Sequence, residues 1–175
     1  MQYELLDLLK TRRSIRQFKD KQISKETIEQ ILKAGLLAPS SKNKRPVEFV
    51  VVEDKDTIKK LKKCKGKGVD SLNTATCAIA VIADSEKSDV WVEDASIAMT
   101  LMHIAAENLG LGSVWIQIRN RFVEGRSSEE EVRRVLNIPD NYGVLSILAI
   151  GYKDEHKDPY DEGSLDFSKV HTNRY

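Results

Sequence analysis

Residues 12–16 read Arg12-Arg13-Ser14-Ile15-Arg16, which places three guanidinium groups and one hydroxyl in a run of five. A guanidinium fork binds phosphate bidentately, and a serine hydroxyl adds a neutral donor between the forks. A phosphate dianion partly shielded from water needs a donor set of this size. The same residues also suit a basic turn after a first helix, where Arg12 and Arg13 would complement the helix C-terminus. A second candidate is Ala38-Pro39-Ser40-Ser41-Lys42-Asn43. Pro39 stiffens the exit of a helix, and the serine and asparagine side chains offer hydrogen bonds to a polar ring edge or to hydroxyls. A third is Gly110-Leu111-Gly112-Ser113-Val114-Trp115-Ile116. Its glycines permit either close approach of backbone to a ligand or a tight helix-to-strand turn. Read singly, each segment is also an ordinary turn.

Other chemistries find little support. Cys64 and Cys77 are not spaced as a redox pair and read as buried or half-buried free thiols. His103, His156 and His171 fall in unrelated segments, so no metal site is expected. Neither Gly-x-Gly-x-x-Gly nor Gly-x-x-x-x-Gly-Lys-Ser is present. Redox chemistry in this chain would have to be carried by an organic cofactor.

The elements that must position these residues can be read from periodicity. The chain has 175 residues, 41% hydrophobic and 31% charged, with net charge +1. That length suits one domain with a sizeable core, and the near-neutral charge gives no field toward nucleic acid or membrane. The apolar run Ala78 to Ala83 is too short to span a bilayer, and Met1 to Lys10 does not resemble a signal peptide, so a cytoplasmic protein is expected. Helices are predicted over Tyr3 to Lys10, Ser24 to Leu37, Asp54 to Cys64, Asp89 or Val90 to Leu109, and Ser128 to Leu136, the last opened by a Ser128/Glu131 capping box. The longest presents Ile97, Leu101, Ile104, Ala105 and Leu109 as its apolar stripe, and its small residues would admit a second helix. Strands are predicted at Glu48 to Val52, Cys77 to Ala83, Ser113 to Ile118 and Tyr142 to Gly151. This interleaving predicts an α+β or three-layer sandwich around one mixed β-sheet. Six lysines between Lys59 and Lys67 read as a solvated face, with a specific anion site as the rival. The polar tail Tyr152 to Tyr175 keeps Leu165, Phe167, Val170 and Tyr175, as a segment packing on a partner subunit would.

Taken in order, the segments resemble the nitroreductase family of FMN-dependent enzymes. The resemblance rests on Arg12, Arg13, Ser14 and Arg16 followed by Phe18, then Ala38 to Pro46, Gly110 to Ile116, Leu136-Asn137-Ile138-Pro139, the strand end Ile147 to Tyr152, and the tail through Tyr175. It implies an α+β nitroreductase fold in an intertwined homodimer, formed by one domain over 1–175 whose extension 152–175 packs on the partner. It implies FMN, its phosphate held by Arg12 and Ser14 with Arg13 assisting, and Arg16 at the pyrimidine edge. Pro39, Ser40, Ser41 and Asn43 would reach the neighbouring subunit's flavin or line its pocket, and Asn73 would contact the ring. Trp115, Ile116 and Gln117 would pack along the ring. Arg174 and Lys153 are the nearest equivalents of a late basic pair. Departures are Arg45 where glutamine is common and Val47 where an aromatic is common. The implied reaction passes hydride from NAD(P)H through FMN to a nitro compound, quinone or flavin, with no side chain acting as acid or base. Relatives that dehalogenate, fragment flavin or oxidise a peptide ring keep the same fold, and a non-catalytic flavin carrier is the alternative of a different class.

Overall fold

The computed structural model of the chain describes residues 4–175, so the predicted helix start at Tyr3 lies outside the described residues. Five helices run over Leu5–Thr11 (α1), Lys25–Leu36 (α2), Lys55–Lys62 (α3), Trp91–Asn108 (α4) and Ser128–Leu136 (α5). Four strands, Val47–Val52 (β1), Cys77–Asp84 (β2), Gly112–Gln117 (β3) and Tyr142–Gly151 (β6), form one sheet in the order β1-β2-β6-β3. A short hairpin, Phe122–Val123 (β4) with Arg126–Ser127 (β5), lies between β3 and α5 and was not foreseen from the sequence.

Local signals place most ends. Ser24 caps α2 by accepting the Thr27 N–H at 3.2 Å, and Asp54 caps α3 through the Thr57 N–H at 2.8 Å. The predicted capping box at α5 does not form. Ser127 is the cap position, the Ser128 hydroxyl is buried without a partner, and Glu131 pairs instead with Arg126 and Arg134. A salt-bridged carboxylate is not free to reach back to the helix start.

Side chains alternate across the strands and fill two cores. On one face, Ala78, Ala80, Ile82, Val114, Ile116, Ile147 and Ala149 pack with Ile58 and Leu61 of α3 and Val132 of α5. On the other, Ile79, Val81, Leu145, Leu148 and Ile150 pack with Ile28 and Ile31 of α2 and Ala95, Met99, Met102 and Ala106 of α4. The result is a three-layer sandwich. All three strand pairings are antiparallel, so the parallel component of the expected mixed sheet is confined to one isolated bridge, Ser14 to Ser113. Leu145 is an extra residue in β6, because Val81 pairs with Ser146 and the next residue, Ile82, with Val144. Its carbonyl accepts both the Ile118 and Arg119 N–H groups, which turns the chain out of the sheet after β3.

The long helix was read with the wrong face inward. Ala95, Ala98, Met99, Met102 and Ala106 are fully buried, whereas Ile97 is 41% exposed and Leu101, Ile104 and Ala105 are half-buried. α4 is apolar nearly all round, so periodicity cannot choose its inner side. Its small residues serve contact with α2 and the sheet. Both cysteines are buried, and desolvation, with Glu131 beside Cys64 and Glu53 beside Cys77, pushes the thiols up to about 11 and about 12.

Gly112 and Gly151 pair in register at one end of the sheet, and the N-terminal segment lies over them. A Cβ on Gly112 would sit 2.7 Å from Ile15, and one on Gly151 would sit 2.6 Å from Phe18. Gly151→Ala should therefore lift Phe18 from its seat and cost about 1–3 kcal/mol, as overpacking does. Urea unfolding should show a lower midpoint with unchanged slope; an unaltered midpoint would show that the seat is not tight.

Candidate functional site

The segment 12–19 is held at both ends of this glycine seat. The Ile15 N–H donates to the Ser113 carbonyl at 3.0 Å, and Phe18 bridges Lys153 with the Lys19 N–H on the Tyr152 carbonyl. The Phe18 N–H donates to the Thr74 hydroxyl at 3.2 Å, and the Glu155 carboxylate accepts the Arg16 and Gln17 N–H groups. Burial raises the Glu155 carboxyl, but the Arg16 N–H and the Lys157 charge outweigh it and hold the group below its ordinary range. The backbone of the arginine segment is thus fixed, while its side chains remain available.

Those side chains have different surroundings. Arg12 is half-buried and forms no ion pair or side-chain hydrogen bond among the described residues. Near it, His103 is buried with its Nδ1 2.8 Å from the Ser113 Oγ. Desolvation, then the Arg12 charge, push the imidazole down to about 4, so it stays neutral beside the guanidinium. Ser14 bridges the start of β3 next to this pair. Arg16 is exposed, its Nη1 3.5 Å from the Ser14 carbonyl. Arg13 points elsewhere: it donates to the Asp158 carbonyl and lies 4.4 Å from the centre of the Tyr160 ring. The tail therefore occupies Arg13, the group expected to assist at the phosphate. Arg174 lies exposed in the tail, its N–H on the Thr172 carbonyl and its side chain without a hydrogen bond or ion pair among the described residues.

β3 is an edge strand, and beyond the Ser14 bridge it has no outer neighbour among the described residues. Trp115 and Gln117 lie on one side of it, joined at 2.8 Å through the indole N–H and the Gln117 carbonyl oxygen. Ile116 points the other way into the core at 1% exposure, so it can meet a ligand through its backbone alone. Asn73 lies beside Thr74 and Phe18, on the wall of a cavity of about 270 Å³ whose lining also includes Asp20, Lys55 and Lys59.

The serine/asparagine loop is apart from this cluster. The Ser41 N–H donates to the buried Asp94 carboxylate at 2.8 Å, which also accepts from Ser88. Ser40 accepts the Arg45 N–H at 2.9 Å, and Asn43 accepts from the Arg45 guanidinium at 2.8 Å. Lys42, Asn43 and Arg45 all have φ near +50° (51°, 54° and 47°), a left-handed path that these internal bonds enforce. Pro39 and Ser40 line a second cavity of about 320 Å³ with Gly35, Val47 and Asp94. Asp94 and His103 mark the two clusters on one helix, nine residues or about 14 Å apart. Within one chain Arg12, Ser14, Arg16 and the start of β3 come together, Asn73 lines a separate cavity with Phe18, and Pro39, Ser40, Ser41 and Asn43 do not join them.

The sequence shows no sign of His103, Asp94 or Glu107 at the site; Lys153, expected as a late cation, is paired with Glu107 at 2.7 Å beneath the arginine segment. A lone histidine or aspartate on an apolar helix carries no periodic signal, and contacts bring these residues to the site. The His103 shift has a sign that can be tested. Its folded value is depressed below its ordinary 6.5, so the unfolded chain binds more protons between about 6.5 and about 4. Stability should be intact above pH 6.5 and fall as pH drops toward 4, by up to about 1.4 kcal/mol per unit. Urea titrations of wild type and His103→Gln should differ in this slope; identical slopes would show that His103 is not a buried neutral imidazole.

Comparison with known proteins identifies the family of the chain. The nitroreductase family model matches residues 9–73 and 63–152. An Archaeoglobus fulgidus protein, named as a candidate NADH dehydrogenase/NAD(P)H nitroreductase, is 41% identical over 162 residues, 90% of each chain. The structure of an FMN-dependent nitroreductase from Clostridium difficile R20291 superposes with a TM-score of 0.95 at 48% identity, covering 97% of this chain and 99% of that one. NADPH:FMN oxidoreductase from Vibrio harveyi, solved with NAD+, gives a TM-score of 0.83 at 25% identity over 98% of this chain and 77% of its own. The chain belongs to the nitroreductase family.

Proposed function

We propose that this protein is an NAD(P)H-dependent flavin oxidoreductase that binds FMN at the Arg12/Ser14 end of β3 and works as a homodimer. The carrying observation is Arg12, a half-buried guanidinium without a carboxylate partner among the described residues, next to a neutral histidine, a serine and an open strand edge. A buried cation needs a counter-charge, and a phosphate dianion supplies one. Arg16 suits the pyrimidine edge, where a cation favours the reduced ring, and Asn73 is assigned the ring contact that the family resemblance implies. The edge amides of β3 and the Trp115/Gln117 side offer a flat wall of suitable length. Bound flavin supplies the hydride relay, taking electrons from the nicotinamide and giving them to a nitro compound, quinone or flavin in alternating half-reactions. The chain's own part is to anchor, orient and shield. His103 orients Ser113, and Glu155 and Thr74 hold the backbone of the arginine segment.

The homodimer follows from two features. The Pro39–Asn43 loop lies about 14 Å along α4 from Arg12, so a neighbouring subunit is the means by which it would meet this flavin. Leu5 and Leu6 of α1 and Ile97 of α4 are 63%, 67% and 41% exposed, and Leu165, Phe167 and Val170 of the tail are open as well, an excess of apolar surface for a lone subunit. A partner covering these groups accounts for both.

Purified protein mixed with FMN and gel-filtered should be yellow and bleach anaerobically on adding NADH or NADPH; colourless protein would sink the proposal. Arg12→Ala removes hydrogen bonds to a charged group worth about 1.5–3 kcal/mol each, so FMN affinity should fall roughly tenfold to a hundredfold. Unchanged affinity in a fluorescence titration would reduce Arg12 to a helix-end charge. Ile97→Glu should shift sedimentation from dimer to monomer and weaken FMN binding with it. A dimer that survives the buried charge would place the interface elsewhere.

A further inference from the structure

The lysine-rich run after α3 meets the β4–β5 hairpin, and neither has a role in the site described above. Residues 63–69 turn sharply, with Gly68 at φ +71°. A Cβ on Gly66 would sit 3.7 Å from the Phe122 carbonyl oxygen, and one on Gly68 would sit 3.5 Å from the Lys65 Nζ. The loop therefore lies on the hairpin, and the Lys65 ammonium folds back over its own glycines. Lys65 is half-buried, and desolvation, then the Arg121 charge, lower its affinity for a proton. Arg121 directly precedes the Phe122 carbonyl on which the turn rests, and neither it nor Lys65 has a carboxylate partner among the described residues. The nearby carboxylates are engaged elsewhere, Glu124 of the hairpin by Arg126 and Glu131 of α5 by Arg126 and Arg134. Arg121 spends one donor on the Asn120 carbonyl at 2.9 Å and has others to give. Among the described residues the backbone N–H groups of Gly66, Lys67 and Gly68 donate to no backbone carbonyl, so a concave turn presents free amides beside two cations.

We infer that Lys65, Arg121 and the amides of residues 66–68 form a phosphate site that receives the 2′-phosphate of NADPH. The reading rests on the proposed function, because it takes the nicotinamide to lie over a flavin along β3. Two short tethers join the cation pair to that position. Arg121 stands four residues beyond Gln117, a reach of at most about 14 Å, and Lys65 leads through one 3₁₀ turn to Asn73. NADPH differs from NADH by one phosphomonoester on the adenosine ribose, distant from the reacting ring. A half-buried ammonium and an exposed guanidinium beside free amides suit that dianion, and a sugar hydroxyl gains little from them. Lys63 and Lys67 enlarge the field at the mouth of the turn.

The test is calorimetric titration of FMN-saturated protein with adenosine 2′,5′-bisphosphate and with 5′-AMP, in wild type and in the Lys65→Gln, Arg121→Gln and doubly substituted proteins. The bisphosphate should bind about tenfold or more tightly than 5′-AMP, and the double substitution should abolish that advantage. Anaerobic stopped-flow reduction should show the same loss for NADPH, with NADH as the reference. Equal wild-type affinities, an advantage that survives the double substitution, or parallel losses with both nucleotides would overturn the inference. If neither nucleotide reduces the flavin, the enzymatic reading fails while the titrations still decide the phosphate site.

Discussion

The N-terminal segment rests on two glycines, and much of the candidate site follows from that contact. Gly112 and Gly151 face each other in the sheet with no side chain between them and the segment, so Ile15 and Phe18 sit flat on backbone. The seat fixes Arg12 and Ser14 at the start of β3 and Arg16 a little beyond. It also explains why the edge strand is covered at one end and open at the other. Were either glycine to carry a side chain, the segment would stand off the sheet, and the arginines would lose the rigid support that a preorganised anion site needs.

A second constraint is length. α4 carries one end of the proposed site at His103 and another at Asp94, and a rigid helix cannot bring them closer. On the proposed reading, each chain would hold two half-sites on opposite sides of that helix. The exposed apolar groups of α1, α4 and the tail lie on the same molecule that has this geometric deficit. One association would bury the surface and complete the pocket, so cofactor binding and assembly become parts of one equilibrium.

The sequence made much of this legible. Caps at Ser24 and Asp54, the stop at Pro39 and the continuous apolar strands fixed element positions to within a residue or two, because these signals are local. The arginine segment was visible as the first of an ordered set of motifs, and the structure seats Arg12, Ser14 and Arg16 at one end of the sheet, while Asn73, implied by the family resemblance alone, lines a cavity behind Phe18. What was not legible came from contacts between distant residues. α4 is apolar on two sides, so its inward face is decided by what packs against it. Glu131 fits a capping box by spacing and is claimed by two arginines instead. Arg13 has the same chemistry as Arg12 and is taken by a tail more than 140 residues away. His103 and Asp94 became visible once the helix had a neighbour at each end.

The extra residue in β6 can be viewed as a retained insertion. Deleting Leu145 from the strand would leave the pairing of Val144 and Ser146 with β2 intact, and no other side chain would change face. What would disappear is the carbonyl that collects the Ile118 and Arg119 amides and sends the chain away from the sheet. The strand pairing could close without that residue, with the loss of one core side chain. The hairpin that follows, with the cations facing it across the glycine turn, could not be aimed as it is. Strand length in β6 is therefore under a demand separate from folding, and tolerance to deletion should be lower at Leu145 than its role in the sheet would suggest.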